Sequence, residues 1–257
     1  MNFAVQAESL YVNYDRTAVL WDVSCQIPTG QMTCIVGPNG AGKSTFLKTL
    51  LGLVPPISGK VQFWGAGIEA VRSKISYVPQ RGSVDWDFPI SALEVVLMGR
   101  YGLSNFWGLF CKVRKADREA ALHALELVGM REYAHRQIGE LSGGQQQRIF
   151  LARAIVQSAD LLLLDEPFAG VDLTTEKTMI EILKKICAQG KTVIAVHHDL
   201  HTVQEYFDWV LFLNTHVIAC GPTNETFQKE NLQKTYGKMT PFFEEAANLF
   251  AIRRSGL

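Results

Sequence analysis

Apolar positions along this chain keep two rhythms that alternate. Phe3 to Tyr14 and Ala18 to Ile27 read as β-rich stretches, and Pro28-Thr29-Gly30 supplies the turn after them. Met32 to Val36 is a short apolar strand that runs straight into a glycine-rich loop. From Ser44 to Leu53 the spacing turns helical, with Phe46, Leu47, Leu50 and Leu51 apolar, until Pro55-Pro56 stops it. Val61 to Phe63 and Ile75 to Val78 read as further strands.

The pattern changes after Gln80. Ser91 to Val128 is mostly helical, with its charge gathered on Lys112 to Glu119, and Gln146 to Gln157 is again helical. Residues from about 87 to 158 therefore read as an inserted helical lobe. Strands return at Leu161 to Leu164, Thr192 to Val196 and Val210 to Leu213, with a helix at Thr175 to Ala188. Strands alternating with helices imply an α/β fold with a mainly parallel central sheet covered on both faces. Thr223 to Leu257 reads as a C-terminal helical appendage. The expected layout is a core of residues 1–86 and 159–222, a lobe of 87–158 and the appendage of 223–257.

Composition narrows the function classes. Lys and Arg number 25, as do Asp and Glu, so the basic excess of a typical nucleic-acid binder is missing and none is expected as partner. The apolar runs are strand-sized, far short of the roughly 18 to 20 residues that span a bilayer. Met1 to Asp15 has neither a basic start nor a long apolar segment, so it does not read as a signal peptide. Cys25, Cys34, Cys111, Cys187 and Cys220 are scattered and form no CxxC pair, which suits reduced thiols in a cytosolic protein.

Two stretches carry phosphate chemistry. Gly37-Pro38-Asn39-Gly40-Ala41-Gly42-Lys43-Ser44 fits GxxxxGK followed by Ser or Thr. Glycines let backbone N–H groups curl around phosphate oxygens, and the following helix, from Ser44 and Thr45 on, presents its N-terminus to the charge. Lys43 reaches the outer phosphates and Ser44 offers a hydroxyl to Mg²⁺. The apolar run Leu161 to Leu164 ends in Asp165-Glu166. That is where ligands bind in open α/β sheets. Asp165 would hold Mg²⁺ and Glu166 would polarise the attacking water. A third stretch, Leu141-Ser142-Gly143-Gly144-Gln145, opens another helix and makes a second anion-ready N-terminus. One nucleotide does not need two such sites from one chain, which suggests that two chains share each nucleotide.

With these motifs in this order, the chain resembles the ATPases of ABC transporters along most of its length. Gln80 in Tyr77-Val78-Pro79-Gln80 is similar to the family's glutamine loop, and Gly170-Val171-Asp172 to the loop that crosses its dimer interface. His198 is similar to the switch histidine. Tyr14, 29 residues before Lys43, stands where the family places its adenine-stacking aromatic; an exposed strand tyrosine is the other reading. The resemblance implies a P-loop NTPase of ABC type with an antiparallel β subdomain, ATP and Mg²⁺ as cofactors, and a head-to-tail homodimer. In that dimer Ser142 and Gly144 of one chain meet the γ-phosphate held by Lys43 of the other, and Gly143 and Gln145 count with them among the nucleotide-binding residues. Glu166, Gln80 and His198 serve hydrolysis, and Ser44, Gln80 and Asp165 serve the Mg²⁺.

Within the family, Val84 to Pro89 (VDWDFP), Val95 to Arg100 (VVLMGR), Asp165 to Asp172 (DEPFAGVD) and His197 to Leu200 resemble the manganese, zinc and iron uptake group. The implied partners are a polytopic membrane permease and, through it, an extracytoplasmic metal-binding protein. The implied place is the cytoplasmic face of the inner membrane, peripherally. An importer ATPase for another substrate, or a soluble ABC ATPase outside transport, is the alternative. DNA-repair members separate the two phosphate motifs by a long coiled coil, whereas Lys43 and Ser142 are 99 residues apart here. His197, His198, Asp199 and His201 are crowded, and imidazole suits Zn²⁺. Adjacent strand residues point to opposite faces, so an exposed or capping role is expected for His197 and His201.

Two apolar stretches remain. Phe242, Phe243, Ala246, Leu249 and Phe250 recur at helical spacing before Arg253-Arg254, which suits either a helix docked on its own domain or an extra dimer contact. Trp86, Phe88, Leu97, Met98, Tyr101, Phe106, Trp107 and Phe110 crowd the stretch after Gln80, half of them expected as core and half as a groove for a permease helix. Replacing Phe106 and Trp107 by Ser is expected to leave basal ATP hydrolysis intact while complex assembly and metal uptake fall. Undiminished uptake would move the docking surface elsewhere, and loss of basal hydrolysis would return both residues to the core.

Overall fold

A computed structural model describes residues 2–14, 17–84, 86–101 and 114–237. In chain order the strands are β1 (Phe3–Tyr14), β2 (Thr17–Pro28), β3 (Met32–Val36), β4 (Ser58–Phe63), β5 (Ile75–Val78), β6 (Leu161–Leu164), β7 (Thr192–Val196), β8 (Trp209–Asn214) and β9 (His216–Pro222). The helices are α1 (Lys43–Leu50), α2 (Ile68–Val71), α3 (Ala92–Met98), α4 (Lys115–Leu127), α5 (Gly143–Val156), α6 (Leu173–Ala188), α7 (Val203–Tyr206), α8 (Thr223–Thr226) and α9 (Lys229–Tyr236). The chain divides into two compact units, Met1–Val71 with Ile194–Leu257, and Arg72–Val193.

The first unit holds an antiparallel sheet in the order β2-β1-β4. Its alternating inward positions, among them Leu10, Val12, Leu20 and Val23, are fully buried. Ser9 (φ 44°) breaks the alternation, and the register slips between Ala7 and Leu10 around it, as a β-bulge requires. β3 is different in kind. All five of its residues are buried, as befits a strand covered on both faces. β8 runs parallel beside it, with Cys34 against Val210 and Val36 against Phe212. β9 returns antiparallel along β8 after the turn at Thr215 (φ 59°). The carboxylate of Asp208 accepts the Met32 N–H at 2.9 Å and anchors the start of β3.

The second unit pairs β5 and β6 in parallel, from Ile75 against Leu161 to Val78 against Leu164. Helices α3, α4 and α5 pack around Leu93, Val96, Leu125 and Ile149, all 3% exposed or less. α3 opens with a capping box. Ser91 accepts the Glu94 N–H, while the Glu94 carboxylate accepts the Ser91 N–H at 2.9 Å. Asp117 accepts from Arg100 (3.0 Å) and Arg114 (2.9 Å), and the Arg114 hydrogen bond above all holds its carboxyl below the usual range. The exposed pairs Lys60–Glu8 and Arg131–Glu126 add little. Pairs of that kind are worth about 0.2–1 kcal/mol, against roughly 1.5–3 kcal/mol for each large apolar side chain buried. Apolar burial therefore decides the stability of both units.

Strands β1, β3, β5, β6 and β7 have the bounds that patterning predicts. The mostly helical stretch from Ser91 to Val128 contains two described helices, α3 and α4. Gly99 ends the first of them where a Cβ would lie 2.4 Å from the Arg153 carbonyl oxygen of α5. Of the apolar residues after Gln80, Leu97 is core at 5% exposure, whereas Phe88, Met98 and Tyr101 are exposed. Trp86 is half-buried, edge-on to Phe150 at 5.1 Å between ring centres. Phe106, Trp107, Phe110, Cys111 and the tail from Phe242 to Phe250 lie outside the described residues.

Candidate nucleotide site

In the first unit, the buried strand β3 delivers the chain into Gly37–Gly42 and then α1. Gly37 has no room for a side chain, since a Cβ would lie 1.9 Å from the Leu213 carbonyl oxygen at the end of β8. Gly42 combines φ +90° with a Cβ position 2.6 Å from the Leu20 side chain. The Thr215 N–H donates to the Ala41 carbonyl at 3.0 Å, so the hairpin end of β8 and β9 supports the loop from below. Lys43 is 6% exposed, and its Nζ donates to the carbonyls of Gly37 and Pro38, both at 2.8 Å. The loop thus curls around its own lysine. Ser44 and Thr45 are half-buried, and Asn39 and Gly40 are exposed. The Thr45 carbonyl accepts from the Thr49 hydroxyl at 2.9 Å.

Two other residues expected at this site also belong to the first unit. Tyr14 ends β1 with 46% of its surface exposed. His198 is exposed just past β7, while its neighbour His197 is 4% exposed, as opposite-facing strand residues would be. The expected exposed or capping role for His197 needs correcting: it is a core residue. Its Nε2 shares a 2.7 Å hydrogen bond with the Thr202 hydroxyl, and its ring packs on Phe207 at 5.3 Å. Burial pushes its imidazole down to about 4, Asp199 opposes that, and His198 adds to it. The Asp199 carboxylate meanwhile accepts the His201 N–H at 3.0 Å. Among the described residues no group of three or more His, Cys, Asp or Glu is placed to hold a metal ion.

The second unit holds the carboxylates. β6 is buried throughout and ends at Asp165, 1% exposed, whose N–H donates to the Val78 carbonyl at 2.9 Å. The Tyr77 hydroxyl lies 3.4 Å from Asp165 Oδ2; burial and then the Asp165 charge push that phenol well above its ordinary value. Glu166 has φ +53°, a left-handed conformation that costs a non-glycine residue on the order of 1 kcal/mol or more. It turns the chain out of the strand, and Glu166 Oε2 accepts from Gln80 Nε2 at 2.9 Å. Gln80 and Glu166 are therefore brought together, beside a buried carboxylate. Asp172 caps α6, accepting from the Thr175 N–H (3.0 Å) and hydroxyl (2.7 Å), and those bonds hold its carboxyl low.

The same unit carries the second helix start. Ser142 is exposed and Gly143, Gly144 and Gln145 are half-buried at the beginning of α5. A capping box shapes this end: Gln145 N–H donates to Ser142 Oγ (3.4 Å), and Ser142 N–H to Gln145 Oε1 (2.9 Å). An α-helix of 14 residues presents partial positive charge there. Patterning assigned no role to Tyr77 or Arg81. Tyr77 touches Asp165 from 88 positions away, and Arg81 touches Gln146 from 65 away, so local spacing carries no trace of either.

Comparison with known proteins agrees with this chemistry. The family model described as ABC transporter matches residues 20–169. The manganese transport system ATP-binding protein MntB of Bacillus subtilis is 54% identical over 243 residues, 95% of this chain and 96% of that protein. The zinc transport system ATP-binding protein TroB of Treponema pallidum is 52% identical, over 91% of this chain and 87% of that one. Among solved structures, an ABC transporter in an inward-facing conformation matches with a TM-score of 0.79 and 31% identity, covering 91% of this chain and 89% of its own. A dimeric ATP-binding cassette in a post-hydrolysis state, bound to ADP and Pi, matches with a TM-score of 0.74 and 27% identity, covering 85% and 98%.

His197 yields a pH prediction. Below about pH 6.5 the imidazole of the unfolded chain takes up a proton that the folded chain refuses until about pH 4. Stability is thus lost as pH falls through that window. Between pH 6.5 and 5 the wild type is expected to lose on the order of 1–2 kcal/mol more than His197→Phe, read by urea denaturation at the two pH values. Equal losses would contradict a neutral, buried His197.

Proposed function

We propose that this chain, which belongs to the ABC transporter family and is an ATPase, powers import of a divalent metal through a separate membrane permease. The observation that supports the cargo is its likeness, at 52–54% identity over nearly the whole chain, to manganese and zinc transport ATP-binding proteins. Two copies bind head to tail as a homodimer, docked on the permease at the cytoplasmic face of the membrane. An extracytoplasmic metal-binding protein delivers the cargo. No described helix is long and apolar enough to cross a membrane, which suits a subunit that borrows its pore.

In this reading residues 1–86 and 159–222 form the ATP-binding core, 87–158 the lobe bearing the signature, and 223–257 an appendage. Amides of the loop from Gly37 to Thr45, with the Lys43 ammonium, bind the phosphates of ATP, and Tyr14 stacks on the base. Stacking of that kind is worth about 1–3 kcal/mol, enough to tune affinity but not to create it. The donor set fits Mg²⁺: the Asp165 carboxylate, the Ser44 hydroxyl and the Gln80 amide oxygen are hard oxygen ligands. When bound, the ion neutralises charge on the outer phosphates. Glu166, turned out of the strand and already within hydrogen-bonding reach of Gln80, takes the proton of the attacking water. His198 steadies the γ-phosphate, and Ser142 to Gln145 of the other chain close over it.

Glu166→Gln keeps the shape of the side chain and removes the base. ATP binding by the isolated subunit is expected to stay within about two-fold, while hydrolysis falls by roughly 10²–10⁴. Manganese or zinc uptake by cells relying on the variant is expected to drop to that of cells lacking the subunit. Near-normal turnover would remove Glu166 from its role. Unchanged Mn, Zn and Fe uptake in cells lacking the subunit altogether would remove metal import.

A further inference from the structure

Arg81 directly follows Gln80, and three contacts fix it within the second unit. Its Nε donates at 3.1 Å to Oε1 of Gln146, a buried residue whose own Nε2 donates to the Ile138 carbonyl at 3.1 Å. Both ends of the Gln146 amide are thereby occupied, and the acceptor faces Arg81. The Arg81 carbonyl accepts the Trp86 indole N–H at 2.9 Å, and the guanidinium stands 6.0 Å from the centre of that indole. Trp86 in turn leans edge-on against Phe150 of α5. Finally, a Cβ built on Gly143 would meet the guanidinium carbon and Nη1 at 2.9 Å, so the guanidinium lies on the first residue of α5.

Two consecutive residues therefore hold two functional elements. Gln80 holds the Glu166 carboxylate, and Arg81 holds the start of the helix that carries Ser142, Gly143 and Gly144. A cation at a helix start is opposed by the helix dipole, so Arg81 keeps that place through its anchors on Gln146 and Trp86. Lysine could not replace it, having one terminal ammonium where the guanidinium offers a planar fork with an inner Nε–H.

We propose that Arg81 is a positioning residue that fixes the start of α5 to the glutamine loop and so holds in place the signature its chain lends to its partner's nucleotide. This rests on the head-to-tail dimer proposed above. Arg81 acts through α5 and touches no nucleotide of its own chain. Its loss is felt at the partner's site.

Mixed dimers of full-length chains, assembled with the permease, separate the possibilities. Lys43→Ala silences nucleotide binding in one chain and leaves a single live site. In the first arm Arg81→Ala sits on the silenced chain, so the live nucleotide faces the altered signature. In the second arm it sits on the live chain, and the live nucleotide faces an intact one. Hydrolysis is expected to fall in the first arm by roughly two- to thirty-fold, the range for couplings of this kind, with ATP binding unchanged. The second arm is expected to stay within about two-fold of the Lys43→Ala/wild-type dimer. Equal losses in both arms, or a loss confined to the second, would overturn the proposal. Ser142→Arg on the silenced chain tests the dimer separately: if hydrolysis survives it, the shared site itself is wrong, whatever Arg81 does. Should Arg81→Ala not fold, Arg81→Lys in the same arms decides with the same expected direction.

Discussion

Lys43 is a cation buried to 6% exposure, with the carbonyls of Gly37 and Pro38 bound to its ammonium at 2.8 Å. Taking a charge out of water costs several kcal/mol, which hydrogen bonds to that charge help to offset. The loop can hold such a residue because the strand beneath it does not yield. β3 is buried along its whole length, pinned at its start by Asp208, and followed by a glycine pressed against the Leu213 carbonyl. In the proposed site a triphosphate would bring the opposite charge to a largely buried ammonium, where attraction is stronger than in water. The packing of the first unit thus fixes the loop around Lys43.

The second unit answers a different need. Binding ATP tightly does not hydrolyse it, and hydrolysis needs a base held near the attacking water. Glu166, proposed as that base, stands in a left-handed turn, and Gln80 donates to its carboxylate. The same unit opens α5 in a capped, exposed helix start at Ser142. A helix start of this form attracts phosphate, yet its own chain already supplies a phosphate loop. The proposed sharing of a nucleotide between two chains would give both features a use and make hydrolysis depend on assembly.

Much of this was legible in the sequence because it depends on local order. GxxxxGK with a strand before it, an apolar run ending in two carboxylates, and Ser142 opening a helix are short-range patterns with one physical reading each. Buried strands such as β3 and β6 also announce themselves, since continuous apolar runs have no polar face to hide. β9 was missed because an edge strand with half-exposed residues has no such signature. His197 was misjudged because a polar residue at a strand end gives no sign that Thr202, Tyr206 and Phe207 will close over it. Arg81 was invisible for a third reason: its partners, Gln146 and Gly143, meet it through tertiary packing alone.

The central claim is that the phosphate loop of one chain and the signature of another meet on one nucleotide. An ATP analogue bearing a photo-crosslinker on its γ-phosphate reads that meeting directly. Isotopically heavy Lys43→Ala chains are mixed with light wild-type chains in the assembled transporter. In dimers containing one of each, the analogue can bind only to the light phosphate loop. The account predicts label on the heavy peptide containing Ser142 to Gln145. Label confined to the light chain's own Ser142 to Gln145 peptide would contradict it.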